Sequence, residues 1–450
     1  MRTILIANRG EIALRIARAC RDADLASVAV YADPADRGAL HVTAADRAVP
    51  LTGRTPAQTY LDPVKVLAAA VAAGADSLHP GYGFLAEKAE FAQAVTDAGL
   101  TWIGPPPAVI RELGDKLATG QLAGRVGAPV LAGATVASAA QALSFARQAG
   151  PPVVLKPARG GGGAGVVVAR SLADVPAAYA TAVRAAGGQP DCFAQRYLDR
   201  ARHLETQCLA DRRGHVAVVS TRDCSLQRRH QKIVEEAPAP FLPVQVDTRL
   251  RVASRAILRA AGYVGAATCE FLLGADGTLA FLEVNPRLAV AHPVSEEVTG
   301  LDLVRETFRL AGGEPLGYGD RPDRGHAVQF RVYAEDPGRG FAPAAGTVRG
   351  WRLPSGPGVR VDPAVGPGSV VVPDFGTLLA KLIVTGATRA EALSRARRAL
   401  GEFAVDGVPT NLPLHRALAA DPAFAPPDPG QPFTVHTGWI EPACRAHNDS

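Results

Sequence analysis

The amino-acid sequence predicts an α/β protein, or an α+β protein in the wider sense, that folds into two or three packed domains. Its first hundred residues alternate short apolar runs with apolar residues at helical spacing, beginning with a strand at 4–7 and a helix at 12–20. Another strand, at 153–156, leads into a glycine-rich segment, and β-type runs follow Gly325. With 450 residues and 47% apolar content, the chain exceeds what one hydrophobic core usually holds.

The amino-terminal region has the pattern of an open, mostly parallel sheet. A second strand is predicted at 28–31, and a later one ends near residue 80. Between them, Asp62 is suited to cap a helix that has Pro63 at its first position and Gly74 after its last turn. Such strand–helix alternation is typical of parallel sheets. The glycine pattern GxGxxG is absent after the first strand, which argues against NAD binding.

Two further regions follow the parallel sheet. The first of them contains a predicted hairpin whose strands, 267–272 and 278–283, are joined across a glycine-containing turn. The other begins near Gly325 with β-type residues and includes a predicted helix near 391–400. It ends in a proline-rich tail from Pro422 that we expect to pack loosely. The sequence contains no internal repeat.

Composition and charge argue against several functional classes. The net charge of +5 over 450 residues is modest, so nucleic acid is not an expected partner. The six cysteines lie apart without a CxxC pair, which argues against a disulfide framework or a structural zinc site. The amino terminus enters a short strand directly, and no apolar run has membrane-spanning length. We therefore expect a cytoplasmic protein without a membrane segment.

A glycine run after a lysine is the first candidate binding feature. Lys156 is followed by four consecutive glycines that include Gly161, Gly162 and Gly163, whose backbone N–H groups can approach phosphate oxygens closely. The run does not match the P-loop pattern, GxxxxGK followed by Ser or Thr. Lys156 and Lys116 could supply positive charge to phosphate. Alone, such a run is as often a surface hairpin, and a single lysine is more often a solvated charge.

The predicted hairpin carries the candidate metal ligands. Its turn brings Glu270 on the first strand close to Glu283 on the second. Asn285 follows Glu283 by two residues and shares its face if the strand continues. Three oxygen ligands of this kind suit Mg²⁺, which could bridge nucleotide phosphates. The alternative is a surface hairpin with solvated acids.

A basic run at 222–232 could suggest a nucleic-acid surface. It lies between apolar segments and is followed by two glutamates, so a buried polar cluster is the better interpretation. His203 and His230 each fit a satisfied core histidine. Together with Gln227 they could instead offer hydrogen bonds to ribose or phosphate.

Taken together, these segments resemble a biotin carboxylase subunit or domain, a member of the ATP-grasp superfamily. The matching stretches are 6–13, 79–85, 114–116, 222–240 and 326–337. The resemblance implies an amino-terminal domain at 1–114, an ATP-grasp domain at 115–324 with a mobile lid at about 129–203, and a carboxy-terminal domain at 325–450. It also implies a homodimer. In this family ATP phosphorylates bicarbonate, and the carboxyphosphate formed delivers CO₂ to a ureido nitrogen of biotin.

The resemblance implies a role for each matching position, with ATP and Mg²⁺ as cofactors and Mn²⁺ as a substitute ion. Glu270, Glu283 and Asn285 would hold the metal. Catalytic roles fall on Lys232, Arg287 and Arg331, which hold the acid or stabilise negative charge, and substrate contacts on Tyr82 and Val290. Nucleotide contacts fall on Lys116, Lys156, Gly161, Gly162, Gly163, Arg196, Leu198, His203, Gln227 and His230.

The sequence departs from the family pattern around the acid. The family has a hydrophobic residue followed by Gln-Val-Glu-His-Pro, and this chain has alanine at the Gln and Glu positions, Ala289 and Ala291. The missing glutamate is the family's general base, and loss of a positioned base typically costs ~10²–10⁴-fold in rate. Ala164 also replaces an arginine, Gly376-Thr377 replaces Asp-Ser, and Gln195-Arg196 replaces Glu-Lys.

These features predict an ATP-grasp ligase that phosphorylates a carboxylate and transfers it to an amine or ureido nitrogen, redirected from bicarbonate and biotin. Arg287 would bind an organic acid in the space left by the two alanines. One alternative is a biotin carboxylase that takes its base from elsewhere, such as Glu296 or Glu297, and works with a biotin carrier protein and a carboxyltransferase. Another is a nucleotide-binding partner subunit without turnover, and an inactivated enzyme is a third.

Overall fold

The computed structural model describes residues 1–157 and 165–440 of the chain. The amino-terminal region forms a five-stranded parallel sheet in the order β3-β2-β1-β4-β5, as the strand–helix alternation predicts. Asp62 accepts hydrogen bonds from the backbone N–H groups of Val64 and Lys65, so the predicted helix cap is confirmed. The elements are β1 (Thr3–Ile6), α1 (Gly10–Asp22), β2 (Ala26–Asp33), α2 (Leu40–Ala44), β3 (Arg47–Thr52), α3 (Pro63–Ala72), β4 (Ser77–His79), α4 (Ala89–Asp97), β5 (Thr101–Trp102) and α5 (Pro107–Gly114).

A small antiparallel sheet follows, in the order β6-β9-β7-β8, with two helices packed against it. Its side chains form a cluster of their own, which includes Val136, Leu155 and Ala182. This unit lies inside the predicted lid of about 129–203. Helix α6 (Lys116–Arg125) precedes the unit, whose elements are β6 (Gly133–Val136), α7 (Ala139–Ala149), β7 (Val153–Pro157), β8 (Val167–Ala169), α8 (Val175–Ala185) and β9 (Cys192–Arg196).

An eight-stranded antiparallel sheet forms the centre of the molecule, in the order β14-β13-β10-β11-β12-β15-β22-β20. The predicted hairpin is confirmed as β13 and β14. Ile6 of β1 and Ile16 of α1 share an apolar cluster with Leu209 of β10 and Phe308 of α11, so the parallel sheet region packs against this centre. The first elements are β10 (Arg202–Ala210), β11 (Val216–Arg228), β12 (Gln231–Ala237), α9 (Val244–Ala260), β13 (Gly265–Leu273), β14 (Leu279–Asn285), α10 (His292–Thr299) and α11 (Leu303–Ala311).

The same sheet continues into the carboxy-terminal part of the chain, because β12 pairs with β15. The domain division at 114 and 324 stays a prediction, and strand pairing crosses the second of these positions. The remaining elements are β15 (His326–Tyr333), β16 (Glu335–Asp336), β17 (Ala342–Pro343), β18 (Gly346–Thr347), β19 (Gly350–Arg352), β20 (Val359–Pro363), β21 (Val370–Val371), β22 (Leu378–Gly386), α12 (Arg389–Glu402), β23 (Ala404–Asp406) and α13 (Leu412–Ala420).

The proline-rich tail is packed as far as residue 440, so the expectation of loose packing is wrong for the described part. Phe424, Phe433, Val435 and Ile440 are all buried in one apolar cluster with α12 and β22. The aromatic and aliphatic residues of the tail supply the apolar burial that holds it against the domain. Five cysteines lie in the described residues and all are free and buried. Within the same residues, no helix combines the length and the apolar character needed to cross a membrane.

Candidate nucleotide and carboxylate site

The two carboxylates predicted to hold a metal face each other across the β13–β14 pair. Glu270 and Glu283 are register partners, and Thr268 pairs with Asn285 two residues along. Asn285 donates a hydrogen bond from Nδ2 to Glu270, so its side chain lies on the same face. Burial and the facing charge of Glu270 raise the pKa of Glu283. Two acids placed opposite each other repel unless a cation lies between them, and this oxygen-rich set fits Mg²⁺.

Glu270 is also surrounded by cationic and hydrogen-bonding groups. Lys232 Nζ lies 2.7 Å from its Oε1, and His203 Nε2 lies 2.7 Å from its Oε2. Burial alone would raise the pKa of Glu270, but Lys232 and His203 outweigh it and hold that pKa well below its usual value. Gln227 donates from Nε2 to His203 Nδ1 at 2.8 Å, so Nε2 is the ring nitrogen that lies beside the carboxylate.

A second buried glutamate, Glu205, belongs to this site and was not among the predicted residues. It is the register partner of Glu270 and contacts Lys232. Arg222, which is fully buried, donates from Nε and Nη2 to Glu205 Oε2 at 3.1 and 2.8 Å. Glu205 follows His203 by two residues on one strand and so shares its face, and this spacing could have identified it from the sequence. His203, Glu205 and Glu270 could also group around an ion, but Lys232 already lies between the two acids and balances their charge.

The basic run at 222–232 is therefore buried over most of its length, as predicted. Arg222, Asp223, Ser225 and Gln227 are buried. The tip is different, because Arg229 and His230 are exposed at the turn between β11 and β12 and both have left-handed backbone, with φ of 50° and 64°.

Two lysines lie near the acidic pair. Lys116 is the first residue of α6, whose amino terminus is capped by Asp115, and its Nζ lies 4.0 Å from Glu283 Oε2. Lys156 on β7 donates to Gln195 Oε1 at 3.3 Å and lies 5.2 Å from the centre of the Phe193 ring. Burial, reinforced by the positive charge of Lys116, lowers the pKa of Lys156 to about 8.

The remaining predicted nucleotide residues are spread around this pair. Arg196 ends β9, with its side chain 3.8 Å from Asp276, and Leu198 is buried two residues later. Gly161, Gly162 and Gly163 lie outside the described residues, as does the nearby departure at Ala164.

The acid side of the site is built around Arg287. Its Nη2 donates to Asn285 Oδ1 at 3.0 Å, its Nη1 to the Leu288 carbonyl at 3.2 Å, and its Nε to Glu87 Oε1 at 2.9 Å. Ala289 and Ala291 follow and are 4% and 2% exposed. Their side chains are methyl groups, which offer neither a hydrogen bond nor a charge.

Val290 and Tyr82 both lie near a buried lysine, Lys381. The Val290 carbonyl lies 3.5 Å from Lys381 Nζ and 3.5 Å from Gln329 Nε2. Lys381 Nζ is 5.7 Å from the centre of the Tyr82 ring, and the Tyr82 hydroxyl is buried without a hydrogen bond among the described residues. The Ala289–Ala291 segment thus has polar groups around it and apolar side chains within it.

Arg331 is held by both its side chain and its backbone. The guanidinium pairs with Glu235, which also accepts from Gln329 Nε2 at 3.0 Å. The Arg331 carbonyl accepts from Asn411 Nδ2 at 3.0 Å and from His415 Nε2 at 2.7 Å. Its strand neighbour in β22 is Lys381, so the two cations lie at adjacent positions of the sheet.

The carboxylates suggested as replacement bases are already paired. Glu296 is buried and lies 2.9 Å from Arg15 and 2.8 Å from Arg360, and it also accepts the Leu303 N–H. Glu297 contacts Arg360 at 3.1 Å. Proton transfer to Glu296 would require loss of two buried ion pairs, which makes it a poor acceptor.

Comparison with known proteins identifies the family. Three domain families match successive parts of the chain. Residues 1–110 match the biotin carboxylase N-terminal domain, residues 115–318 match the ATP-binding domain of the carbamoyl-phosphate synthase L chain, and residues 329–442 match the biotin carboxylase C-terminal domain. The chain belongs to the biotin carboxylase family. It is 52% identical over 444 residues to the biotin-dependent acyl-coenzyme A carboxylase alpha3 subunit of Mycobacterium leprae, covering 97% of this chain and 74% of that protein.

Other relatives agree with this assignment. The biotin carboxylase of Pseudomonas aeruginosa is 43% identical, with 94% of this chain and 95% of that protein covered. A Campylobacter jejuni biotin carboxylase–β-γ-ATP complex superposes with a TM-score of 0.92 at 33% identity, covering 98% of both chains. The biotin carboxylase domain dimer of Hydrogenobacter thermophilus 2-oxoglutarate carboxylase, with MgADP, ADP and bicarbonate, also gives 0.92, at 36% identity, and covers 100% of this chain and 98% of that one.

The predicted fold and enzyme class are confirmed by these matches. The biotin carboxylase family comprises ATP-dependent ligases that form carbon–nitrogen bonds, so the chain falls in that class, with ATP and Mg²⁺ as the family's cofactors.

Proposed function

We propose that this chain is an ATP-dependent ligase that phosphorylates an organic carboxylate and transfers it to a nitrogen nucleophile, in place of bicarbonate and biotin. The observation that carries the proposal is the Ala289–Ala291 segment, which is buried beside Arg287 and carries neither an amide nor a carboxylate. The resemblance implies that bicarbonate, although already an anion, is deprotonated further by the family's general base before it attacks ATP. An organic acid is already ionised at neutral pH and needs no base for its own activation.

The ATP side of the site retains the groups that phosphate chemistry needs. In this proposal Lys116 and Lys156 attract the ATP phosphates, and Glu270, Glu283 and Asn285 hold Mg²⁺. The bound ion supplies charge neutralisation for the phosphates. Lys232, fixed between two glutamates, stabilises negative charge that develops during transfer, as Arg331 does farther along the site.

The acid side selects the substrate. Arg287 uses three of its five N–H donors within the protein, to Asn285, Leu288 and Glu87, and the others can bind a carboxylate. Replacing Gln and Glu by alanine removes one negative charge and two long side chains from its neighbourhood. This change favours an anion larger than bicarbonate.

We extend the proposal to the organisation of the molecule. It has an amino-terminal domain at 1–114, an ATP-grasp domain at 115–324 with a lid at about 129–203, and a carboxy-terminal domain at 325–450. It works as a homodimer in the cytoplasm on small molecules, a carboxylate and an amine or ureido acceptor, without nucleic acid or membrane partners.

Phosphate release with ATP and Mg²⁺ tests the proposal. One arm contains bicarbonate and biotin, and the others contain acetate, succinate or benzoate, each with ammonia or glycine as acceptor. We expect release with an organic acid to exceed release with bicarbonate. Efficient biotin carboxylation by the unmodified chain would overturn the proposal, and the absence of release in every arm would leave a nucleotide-binding subunit.

A second candidate is an ordinary biotin carboxylase that works with biotin on a separate carrier protein and with a carboxyltransferase. The 52% identity to an acyl-coenzyme A carboxylase alpha subunit favours it. It requires a proton acceptor other than residue 291. The bicarbonate and biotin arm of the same experiment separates it from the first proposal.

A further inference from the structure

One carboxylate reaches Arg287 from the amino-terminal region. Glu87 lies in the loop between β4 and α4, 200 residues from Arg287 in sequence, and its Oε1 accepts the Arg287 Nε–H at 2.9 Å. Its side chain is 47% exposed and that of Arg287 is 19% exposed. Among the described residues, Glu87 Oε2 has no hydrogen bond. The pair therefore lies at the solvent-accessible edge of the acid side of the site.

Hydrogen bonds to other residues fix the position of Arg287 and of the loop that carries Glu87. Asn285 and the Leu288 carbonyl fix the two Nη groups of Arg287, so its Nε is directed at the loop. On the other side, Asn8 Nδ2 donates to the Pro80 and Tyr82 carbonyls at 2.7 and 2.8 Å, which fixes the start of the loop that carries Glu87. These contacts hold the Glu87 carboxylate in place, and none of them involves residue 291.

The other carboxylates around the site lack this combination of access and freedom. Glu205 and Glu270 are buried against Lys232. Glu235 is fully buried and pairs with Arg331. Glu296, as described above, is enclosed by two arginines. Glu87 alone among these joins solvent access to direct contact with Arg287, the residue that binds the acid in the proposed function.

We propose that Glu87 is the proton acceptor for the nitrogen nucleophile, in the role left without a side chain at Ala291. This inference rests on the proposed function. The neutral nitrogen attacks the carbonyl carbon of the acyl phosphate and a C–N bond forms. The C–O bond to the phosphoryl group breaks, and inorganic phosphate leaves with the electron pair. The proton on the nitrogen passes to Glu87 Oε2, while Oε1 stays bound to Arg287.

The test separates activation of the acid from transfer to nitrogen. Activation is measured as ADP and hydroxamate formed with acetate, succinate or benzoate in the presence of hydroxylamine, a nucleophile that is neutral at pH 7. Transfer is measured as amide formed with glycine. In the 450-residue chain, Glu87→Gln keeps an oxygen for Arg287 Nε and removes the basic group. Hydroxamate formation should stay within about twofold of the parent, and amide formation should fall by ~10²–10⁴-fold.

Two further variants complete the design. Glu90→Gln is the matched control, because Glu90 is an exposed carboxylate three residues away that contacts only Arg111 among the described residues, at 3.5 Å. It should leave both measurements unchanged. Ala291→Glu in the Glu87→Gln background returns a carboxylate to position 291. It should raise the ratio of amide to hydroxamate at least tenfold over Glu87→Gln, even though the longer side chain lowers use of the acid in both measurements.

Each result decides the proposal. Amide formation at the parent rate by Glu87→Gln would overturn it. Equal loss of hydroxamate and amide would also overturn it, because Glu87 would then only hold Arg287. If no acid supports ADP formation, the proposed function fails, and the same variants are measured with bicarbonate and biotin. In that arm, loss of biotin carboxylation by Glu87→Gln supports the role of Glu87. Carboxylation by Glu87→Gln at the parent rate excludes that role, as does a complete lack of turnover by the parent.

Discussion

The two halves of the site differ in how their polar groups are arranged. On the metal side, Glu270 contacts Lys232, His203 and Asn285 and faces Glu283, so charge is dense and mutually balanced. On the acid side, the Ala289–Ala291 segment is apolar, and Arg287 is directed at a glutamate from another region. The difference indicates that activation by ATP and choice of acid can change separately. In the proposed function, the alanines at 289 and 291 change the choice of acid and leave the contacts of Glu270 with Lys232, His203 and Asn285 in place.

The largest expected effect comes from breaking the metal side. Glu283→Gln should lower ATP-dependent phosphate release by roughly 10³-fold with every acid, because one of two facing carboxylates can no longer share a cation. Steady-state phosphate release at saturating Mg²⁺ measures it. Asp276→Asn is the control, since Asp276 is an exposed acid in the same hairpin turn. Normal turnover by Glu283→Gln would contradict the metal assignment.

The metal side was also the part that the sequence could predict. A glycine-containing turn predicts the hairpin, and strand alternation places Glu283 and Asn285 on one face. Local rules of this kind need no knowledge of the rest of the fold. The pairing of Glu270 with Glu283 also depends on a register irregularity between Glu270 and Phe271, which the turn alone does not give. The glycine run made Lys156 and Lys116 candidates for phosphate binding, but a single lysine carries little information, and their assignment to ATP depended on the family resemblance.

Contacts between distant segments could not be predicted in the same way. Glu87 and Arg287 meet only because the loop after β4 packs against the segment after β14. Glu205 depends on the pairing of β10 with both β11 and β13. The ion pairs of Glu296 could not be predicted for a related reason, because its partners Arg15 and Arg360 come from far along the chain in both directions.

The second prediction restores the acid side. Ala289→Gln with Ala291→Glu should raise bicarbonate-dependent ATP hydrolysis in the presence of biotin by about 10²-fold, because a positioned base returns beside Arg287. The same change should reduce turnover of the organic acid, since two long side chains enter a buried segment. Phosphate release by parent and double variant measures both effects.

The matched control for this experiment is Ala289→Gln with Ala291→Gln, which adds the same volume without the basic group. It should reduce use of the organic acid and leave bicarbonate turnover unchanged. If both double variants raised bicarbonate turnover equally, side-chain volume would be the cause, and the absence of a base would not explain the parent's substrate choice.

A smaller effect should follow from the charge on Lys156. Its pKa is lowered to about 8, so the ammonium is present below pH 8 and is lost as the pH rises through that value. Phosphate binding favours the charged form, so the KM for ATP should rise by up to about tenfold per pH unit above pH 8. Lys156→Arg should flatten this dependence, because arginine stays charged. An identical rise in both proteins would assign the titration to another group.

The smallest expected effect concerns the unit formed by β6–β9, α7 and α8. It has its own apolar cluster, and it joins the rest of the site through Lys156 and the Arg196 segment. If ATP draws this unit against the central sheet, Mg²⁺ and ATP should slow tryptic cleavage between about 129 and 203 by a few-fold, because closure excludes the protease. The sites of cleavage are identified by fragment mass.

In Glu283→Gln, which should not hold the metal, the protection should be weaker at the same ATP concentration. Equal protection with and without nucleotide in the parent would mean that the unit is already seated. The different arrangement of polar groups on the metal side and the acid side would then exist before ATP binds and would not depend on closure of this unit.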